Sequence, residues 1–438
     1  ITRDKIGVEI ELSITDFGSF NQNTTLALSA NEEIDVLACV GFPYATGIQQ
    51  GYLSDLEEND LIQTYGQGII DAVGQENVDA CRVNGVLYGL PSNRDIAQGR
   101  GCAAIATEYL DGIGYEANTD DEIVKISLDE LNDIYAQLHE KYPDKEVYRP
   151  TTGSMSQFSN VDSLGGNVFG VLLDYGQNLD VVNLFESDFY KDYCARLYDY
   201  NQKGYISADA STDTTAVGEL VKAGTLMSYT TGGKPGIKAQ ETTLTGRDMT
   251  IFQTLDDFVS STSVAGMPWT IPISAQHKEA AMKFLNECYT NADIANLLAW
   301  GIEGTHYKIG DDGLATYADG VDASNSGWNH SMGWMMPNQF LTHVWEGNDP
   351  ELWTEMKEFN TNAKVSKASG FSFDSTNVAN ELTAVQNVYN EYQTSVEYGF
   401  VDPETGIAEM NDKMMTAGLQ KIIDEKKAQL AAWQEANK

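Results

Sequence analysis

The segment Ile34-Asp35-Val36-Leu37-Ala38-Cys39-Val40 is almost unbroken apolar sequence. Such a run suits a parallel strand covered on both faces and does not suit a strand with one wet side. Ahead of it, Val8-Glu9-Ile10-Glu11-Leu12-Ser13-Ile14 alternates apolar and polar residues, the period of a strand. Between the two, residues 19–29 set Phe20, Ala27 and Leu28 on one helical face. Strand, helix, strand in that spacing predicts a βαβ unit with a right-handed crossover, and so an α/β chain.

Further along, Arg82 to Leu90 predicts a hairpin turning at Asn84-Gly85, the strongest two-residue turn signal. Ser127-Leu128-Asp129-Glu130 is a capping box, predicting a helix that stops before Pro143. Phe189 to Asn201 is helical, with Tyr193, Leu197 and Tyr200 on one face. A helix ending at Gly224 leads into a strand over 225–229, and helices are expected over 277–289 and 292–300. The last third is helical, its stripe of Met410, Met414, Ile422, Ile423, Leu430 and Trp433 lacking the sustained heptads of a coiled coil. With 438 residues, the chain exceeds what one core usually serves. No clean linker divides it, which suggests two lobes woven together by more than one chain crossing.

Against 27 Lys and Arg stand 65 Asp and Glu, a net charge of −38. That balance repels phosphate backbones and anionic lipid, so nucleic acid is excluded as a partner. No apolar run approaches the roughly 18 residues of a membrane span. The five cysteines form no CxxC pair; Cys39 and Cys288 read as buried hydrophobes, and Cys81 with Cys102 is the one pair a hairpin could bring together. A chain opening at Ile1, with neither an initiator Met nor a signal-like segment, reads as a processed or trimmed product.

Searches for chemistry come up empty. His139-Glu140 runs into Lys141-Tyr142-Pro143 instead of completing HExxH. Gly66-Gln67-Gly68 lacks its third glycine, and neither GxSxG nor a Walker A sequence occurs. The five histidines never fall at metal-ligand spacing, and acid doublets such as Glu57-Glu58 and Asp256-Asp257 are expected as solvated faces among so many acids. No catalytic residue, metal or cofactor is assigned. What remains is aromatic: seven Trp and 22 Tyr, several of them in loops. Flat rings beside Asn, Asp and Arg suit a sugar, whose C–H faces stack while its hydroxyls take hydrogen bonds. Trp269, Trp345 and Trp353 could equally fill seams between packed elements.

Several segments, in order, resemble the extracellular solute-binding proteins (family 1) of ABC importers. Arg82 to Pro91 is similar to their "NGKIYGIP" hairpin, residues 29–40 to "SGEEYDIVF", and residues 274–298 to "SKNPEEAMKFLNLLYTDPELANLL". Gly301-Ile302-Glu303-Gly304-Thr305-His306-Tyr307 is close to "GIEGKHY", a mark of a branch of Gram-positive lipoproteins whose C-terminal half is a domain of unknown function. Phe359-Asn360, Gly370-Phe371-Ser372-Phe373 and Ala417-Gly418-Leu419 match that branch as well. The family normally begins with a strand and a long helix ahead of the segment at Val8, and carries a lipid-attachment Cys upstream; neither is in this sequence.

The resemblance implies a two-lobed, periplasmic-binding-protein-like clamp of type II, with parallel-type sheets and a helix-rich second lobe. Lobe one would hold residues 1–104 and 262–307, and lobe two residues 105–261 and 308–438. Ligand would meet Phe17, Ser19, Phe42, Tyr44, Asn93, Arg94 and Asp95 from lobe one. From lobe two it would meet Tyr229, Lys234, Trp328 and Trp334, with Trp269 near the hinge. The implied function is capture of a small solute outside the cell by a monomer, lipid-anchored to the outer face of the membrane, and delivery to ABC permease subunits. The preferred ligand is a short oligosaccharide, a uronic acid being one option that Arg94 or Lys234 could pair. A peptide is the second choice. A secreted glycoside hydrolase or lyase with a cleft carboxylate pair, and a purely structural surface protein, are the rivals of other classes.

Overall fold

Asn84 and Gly85 adopt the left-handed conformations that their turn requires, with φ of 53° and 83°, and join the antiparallel strands Arg82–Val83 and Val86–Leu87. The computed structural model describes residues 1–15, 17–40, 42–115, 121–322, 325–328, 330 and 332–436, the side chains of Phe17 and Gly18 excepted. The chain forms two units. One comprises Ile1–Ile96, Thr262–Trp353 and Ser369–Asp374; the other comprises Ala97–Ser261, Thr354–Ala368 and Ser375–Lys438.

In the first unit, Trp269–Thr270 is the central strand of a three-stranded sheet, antiparallel to Leu37–Ala38 on one side and to Gly89–Leu90 on the other. The near-continuous apolar run is therefore a strand, but an antiparallel one. Residues 8–14 form no strand among the described residues, and Leu12 and Ile14 stand exposed. Alternation alone does not make a strand where no neighbour supplies hydrogen bonds, so the expected βαβ unit is not seen. The core gathers Leu56, Ile62, Ile69, Leu87, Leu90, Ile271, Met282, Leu285 and Tyr289. Helix Lys278–Thr290 crosses helix Gln67–Val73 at Gly68, where a Cβ would lie 2.6 Å from the Thr290 methyl.

The expected lobe boundaries differ from this division at three places, the shortest being residues 369–374, which belong to the first unit. Residues 97–104 belong to the second unit, because Gln98–Ala106 is the long middle strand of its sheet. Residues 308–353 belong to the first, and their polar contacts show why. The Asn93 N–H donates to Pro337 O at 2.8 Å, Asn338 Nδ2 to Tyr289 O at 2.7 Å, and the His343 N–H to Asn296 Oδ1 at 2.8 Å.

The second unit holds a mixed seven-stranded sheet. Gln98–Ala106 pairs antiparallel with Leu226–Gly233 on one edge, and with Met249–Gln253 and Asp257–Val259 on the other. Parallel pairs lie further out: Glu146–Arg149 with Leu226–Gly233, Val124–Lys125 with Met249–Gln253, and Asp257–Val259 with Lys364–Val365. The sheets are thus not the parallel type that was expected. The capping box forms at Ser127, whose hydroxyl accepts the Glu130 N–H at 3.2 Å while the Glu130 carboxylate accepts the Ser127 N–H at 2.8 Å. The unit is rich in helix, as expected. Helices Asp188–Gln202, Ala379–Glu397, Pro403–Ala417 and Leu419–Ala436 pack over Tyr389, Val396, Met410, Met414, Ile422 and Ile423, all buried.

Among the described residues, these helices enclose Glu397 and Lys426. Glu397 accepts hydrogen bonds from Tyr389 at 2.6 Å, Tyr190 at 3.1 Å and Gln393 at 3.1 Å. Lys426 Nζ donates to Gly170 O at 2.8 Å, Ser163 O at 2.9 Å and Asn167 Oδ1 at 3.1 Å. The five cysteines are free and buried. Cys81 and Cys102 fall in different units and are not bridged.

Candidate functional site

Helix Ala292–Trp300 stops at Gly301, whose φ of 82° and ψ of −147° belong to glycine alone. A Cβ there would lie 2.4 Å from His306 Nδ1 and 3.1 Å from Trp328 Cγ. The missing side chain lets the two rings close over the helix end, their centroids 6.0 Å apart and their planes inclined by 24°. His306 Nδ1 accepts the Ile302 N–H at 2.8 Å, which leaves the ring proton on Nε2, away from the helix. Gly301 of the Gly301–Tyr307 motif therefore serves to seat an aromatic layer.

Beside it lies a second group of rings. His330 sits 4.8 Å from Trp345 and 5.2 Å from Tyr317, centroid to centroid, and its Nε2 donates to Trp300 O at 3.1 Å. Trp300 is buried beneath, 5.0 Å from Trp345, with Nε1 donating to His343 O at 3.1 Å. Burial pushes the His330 pKa below the usual imidazole value, against the opposing pull of the Trp300 carbonyl, so the ring is neutral at pH 7. Tyr317, Trp328, His330 and Trp345 are half-buried, presenting flat faces with uncharged polar edges. Trp334 is half-buried in the short helix Gly333–Met335 and engages neither a ring nor a hydrogen-bond partner among the described residues. Such a surface can stack on a sugar ring and exchange hydrogen bonds with hydroxyls.

Of the residues expected to meet ligand, only Trp328 belongs to this group, with Trp334 on the short helix Gly333–Met335 outside the packed rings, and both lie in the first unit rather than the second. Phe42 is 1% exposed in a core with Leu28, Leu37 and Cys39, and offers a ligand no face. The Tyr44 hydroxyl donates to Cys81 O at 2.6 Å. Asn93 clamps the 337–339 segment through its backbone and reaches Ala72 O at 3.2 Å with its side chain. Arg94 is turned onto its own neighbourhood, donating to Asp95 O at 2.5 Å and Ser263 O at 3.3 Å, with the Asp95 carboxylate at 3.7 Å; burial pulls its pKa down. Trp269, mid-sheet, donates from Nε1 to Met335 O at 3.1 Å.

In the second unit the Tyr229 hydroxyl is buried against the Glu241 carboxylate, while Lys234 is half-buried just past the pairing end of its strand. Ser19 is half-buried on helix Phe17–Ser29; the Phe17 side chain lies outside the described residues. Tyr317 and His330 were missed by sequence reasoning, and Trp345 was weighed there against a packing role without being chosen as a ligand residue. The available signal was the density of aromatic and His residues from 300 to 345, which single-residue searches for metal spacing pass over.

Residues 367–435 match the family model described as "Domain of unknown function (DUF3502)". A curated relative from Streptococcus pneumoniae, named carbohydrate ABC transporter substrate-binding protein, is 25% identical over 446 residues, covering 98% of this chain and 85% of its own. The crystal structure of the N-glycan transport solute binding protein NgtS, from the same species, superposes with a TM-score of 0.85 at 22% identity, covering all of this chain and 94% of that one. The chain has the fold of the extracellular solute-binding proteins. Another solute-binding protein, the HMO-binding protein of Bifidobacterium longum infantis, gives a TM-score of 0.67 at 16% identity over 98% of this chain and 94% of its own.

Proposed function

We propose that this chain is the extracellular substrate-binding subunit of a carbohydrate ABC importer. It captures a short oligosaccharide and passes it unchanged to a membrane permease. Likeness along nearly the whole chain to a carbohydrate substrate-binding protein supports this reading, and the layered rings of Trp328, His306, His330 and Trp345 carry it structurally. A sugar ring stacks on such faces, and a neutral His330 keeps the surface from attracting ions. A permease that responds to the loaded protein would need the sugar to bias a conformational equilibrium, which it does only by binding one state better. No helix among the described residues is long and apolar enough to cross a membrane, and attachment to the outer face through a lipid belongs to this proposal.

The experiment is thermal unfolding against a panel of neutral and acidic oligosaccharides and peptides, with the sugar recovered and sized afterwards. Ligand at 100 times its Kd adds about 2.7 kcal/mol, an upward shift of a few degrees at this size. A shift with sugar, and sugar recovered intact, supports an importer subunit. Shortened sugar would turn the assignment to an enzyme, and shifts with peptides alone would replace the cargo.

A further inference from the structure

Every arginine of this chain but one meets an acceptor: Arg3, Arg82, Arg149 and Arg247 bond carboxylates, and Arg94 and Arg100 bond carbonyls. The exception is Arg196. Its guanidinium carbon lies 5.4 Å from the ring centre of Phe158 and 5.4 Å from that of Tyr193. Both rings are buried, 7% and 2% exposed, whereas Arg196 is half-buried. Among the described residues no oxygen accepts a hydrogen bond from it and no carboxylate stands at ion-pair distance.

Local sequence does not explain the vacancy of partners. Asp192 and Asp199 stand four residues before and three after it, the spacings at which helical charges pair. Asp199 bonds Lys203 instead, at 2.7 Å, and Asp192 does not reach. In a chain with 65 acids to 27 bases, an unclaimed arginine runs against the electrostatic trend. The two rings hold the planar fork in place, so its ordering cost is met before any anion arrives.

Position and polarity add to this. Phe158 follows helix Ser154–Gln157, which itself follows the carboxyl end of strand Glu146–Arg149, the outer parallel partner of Leu226–Gly233. Open α/β sheets receive ligands beyond the carboxyl ends of their strands. Two further polar atoms in the same wall are buried without a hydrogen-bond partner: Gln157 Oε1, one residue before Phe158, and the Tyr193 hydroxyl. From these observations we infer that Arg196 seats a carboxylate-bearing sugar residue, its fork taking the carboxylate in a two-pronged contact. The inference rests on the carbohydrate reading above and narrows it to acidic sugars. A small ligand fits better than an acidic protein surface, because a chain of net charge −38 repels an extended anion.

The test is calorimetric titration of the full chain with two matched pairs, sialyllactose against lactose, and trigalacturonate against its carboxyl-reduced form, which separate sialic from uronic acid. The wild type should favour the acidic member of one pair by about 10- to 100-fold. Arg196→Gln should erase that preference, and Arg196→Lys, which keeps the charge without the fork, should retain only a few-fold of it. Equal binding of both members by the wild type, or a preference that survives Arg196→Gln, overturns the inference and leaves the carbohydrate reading intact. Failure of all four sugars to bind the wild type would overturn the inference, while the carbohydrate reading is decided separately by the wider oligosaccharide panel.

Discussion

Asp162 accepts the Ser261 hydroxyl at 2.6 Å and the Ser261 N–H at 2.9 Å, one on each carboxylate oxygen, and is itself fully buried. Ser261 is the last residue before the chain passes to the first unit. Asp162→Asn replaces one of the two acceptor oxygens with an NH2 group that faces a donor, and should cost about 3 kcal/mol through unsatisfied buried polar groups. Ser261→Ala removes one hydrogen bond, for about 1 kcal/mol. Urea midpoints of the two variants check the order, and a larger loss for Ser261→Ala would refute the anchoring role of Asp162.

Glu397 links stability to pH. Burial raises its pKa from 4.5 to about 7, with the Tyr389, Gln393 and Tyr190 hydrogen bonds opposing. Between those values the folded chain holds a proton that the unfolded chain has released. The contribution of this group to stability therefore falls as pH rises from 4.5 through 7. Glu397→Gln should flatten that dependence and gain on the order of 3 kcal/mol over the wild type at pH 8 relative to pH 4. Unfolding midpoints at the two values decide the matter; parallel pH profiles for both proteins would show that Glu397 is not the titrating group.

The thiols should be silent in the native state. Burial pushes Cys39 and Cys102 up to about 12 and Cys81, Cys194 and Cys288 higher still. Ellman's reagent should find none of the five until denaturant is added, and gel mobility should not change on reduction. Rapid native reaction of any thiol would contradict this burial.

Two tryptophans should separate packing from recognition. Trp300→Ala empties a buried position and breaks the bond to His343 O, costing about 3–5 kcal/mol. Trp334→Ala should leave stability within about 0.5 kcal/mol while weakening oligosaccharide binding about 10-fold or more. Unchanged sugar affinity in Trp334→Ala would remove that ring from the candidate surface.

Local signals were legible where the chemistry was local. The Asn84-Gly85 turn, the Ser127–Glu130 box and the Gly224 stop, with φ of 74°, all form where expected. Pairing was not legible. Residues 8–14 and 34–40 both carry strand patterns, yet hydrogen bonds came only to Leu37–Ala38, from a strand more than two hundred residues away. The site suffered from the same blindness. Phe42 and Tyr229 look like ligand rings from the loop and strand end that carry them, but a core and the buried Glu241 claim them. His330 and Trp345 become a surface only when the chain brings them 4.8 Å apart.

The middle strand of the first sheet, Trp269–Thr270, has a consequence for how the protein is made. Its partners Leu37–Ala38 and Gly89–Leu90 leave the ribosome well before it does. At about 5–20 residues per second, the roughly 180 residues in between take about 10–40 s to synthesise. For that interval both early strands have open edges and nothing native to close them. The nascent chain is thus held open by its own topology until Trp269–Thr270 has been made.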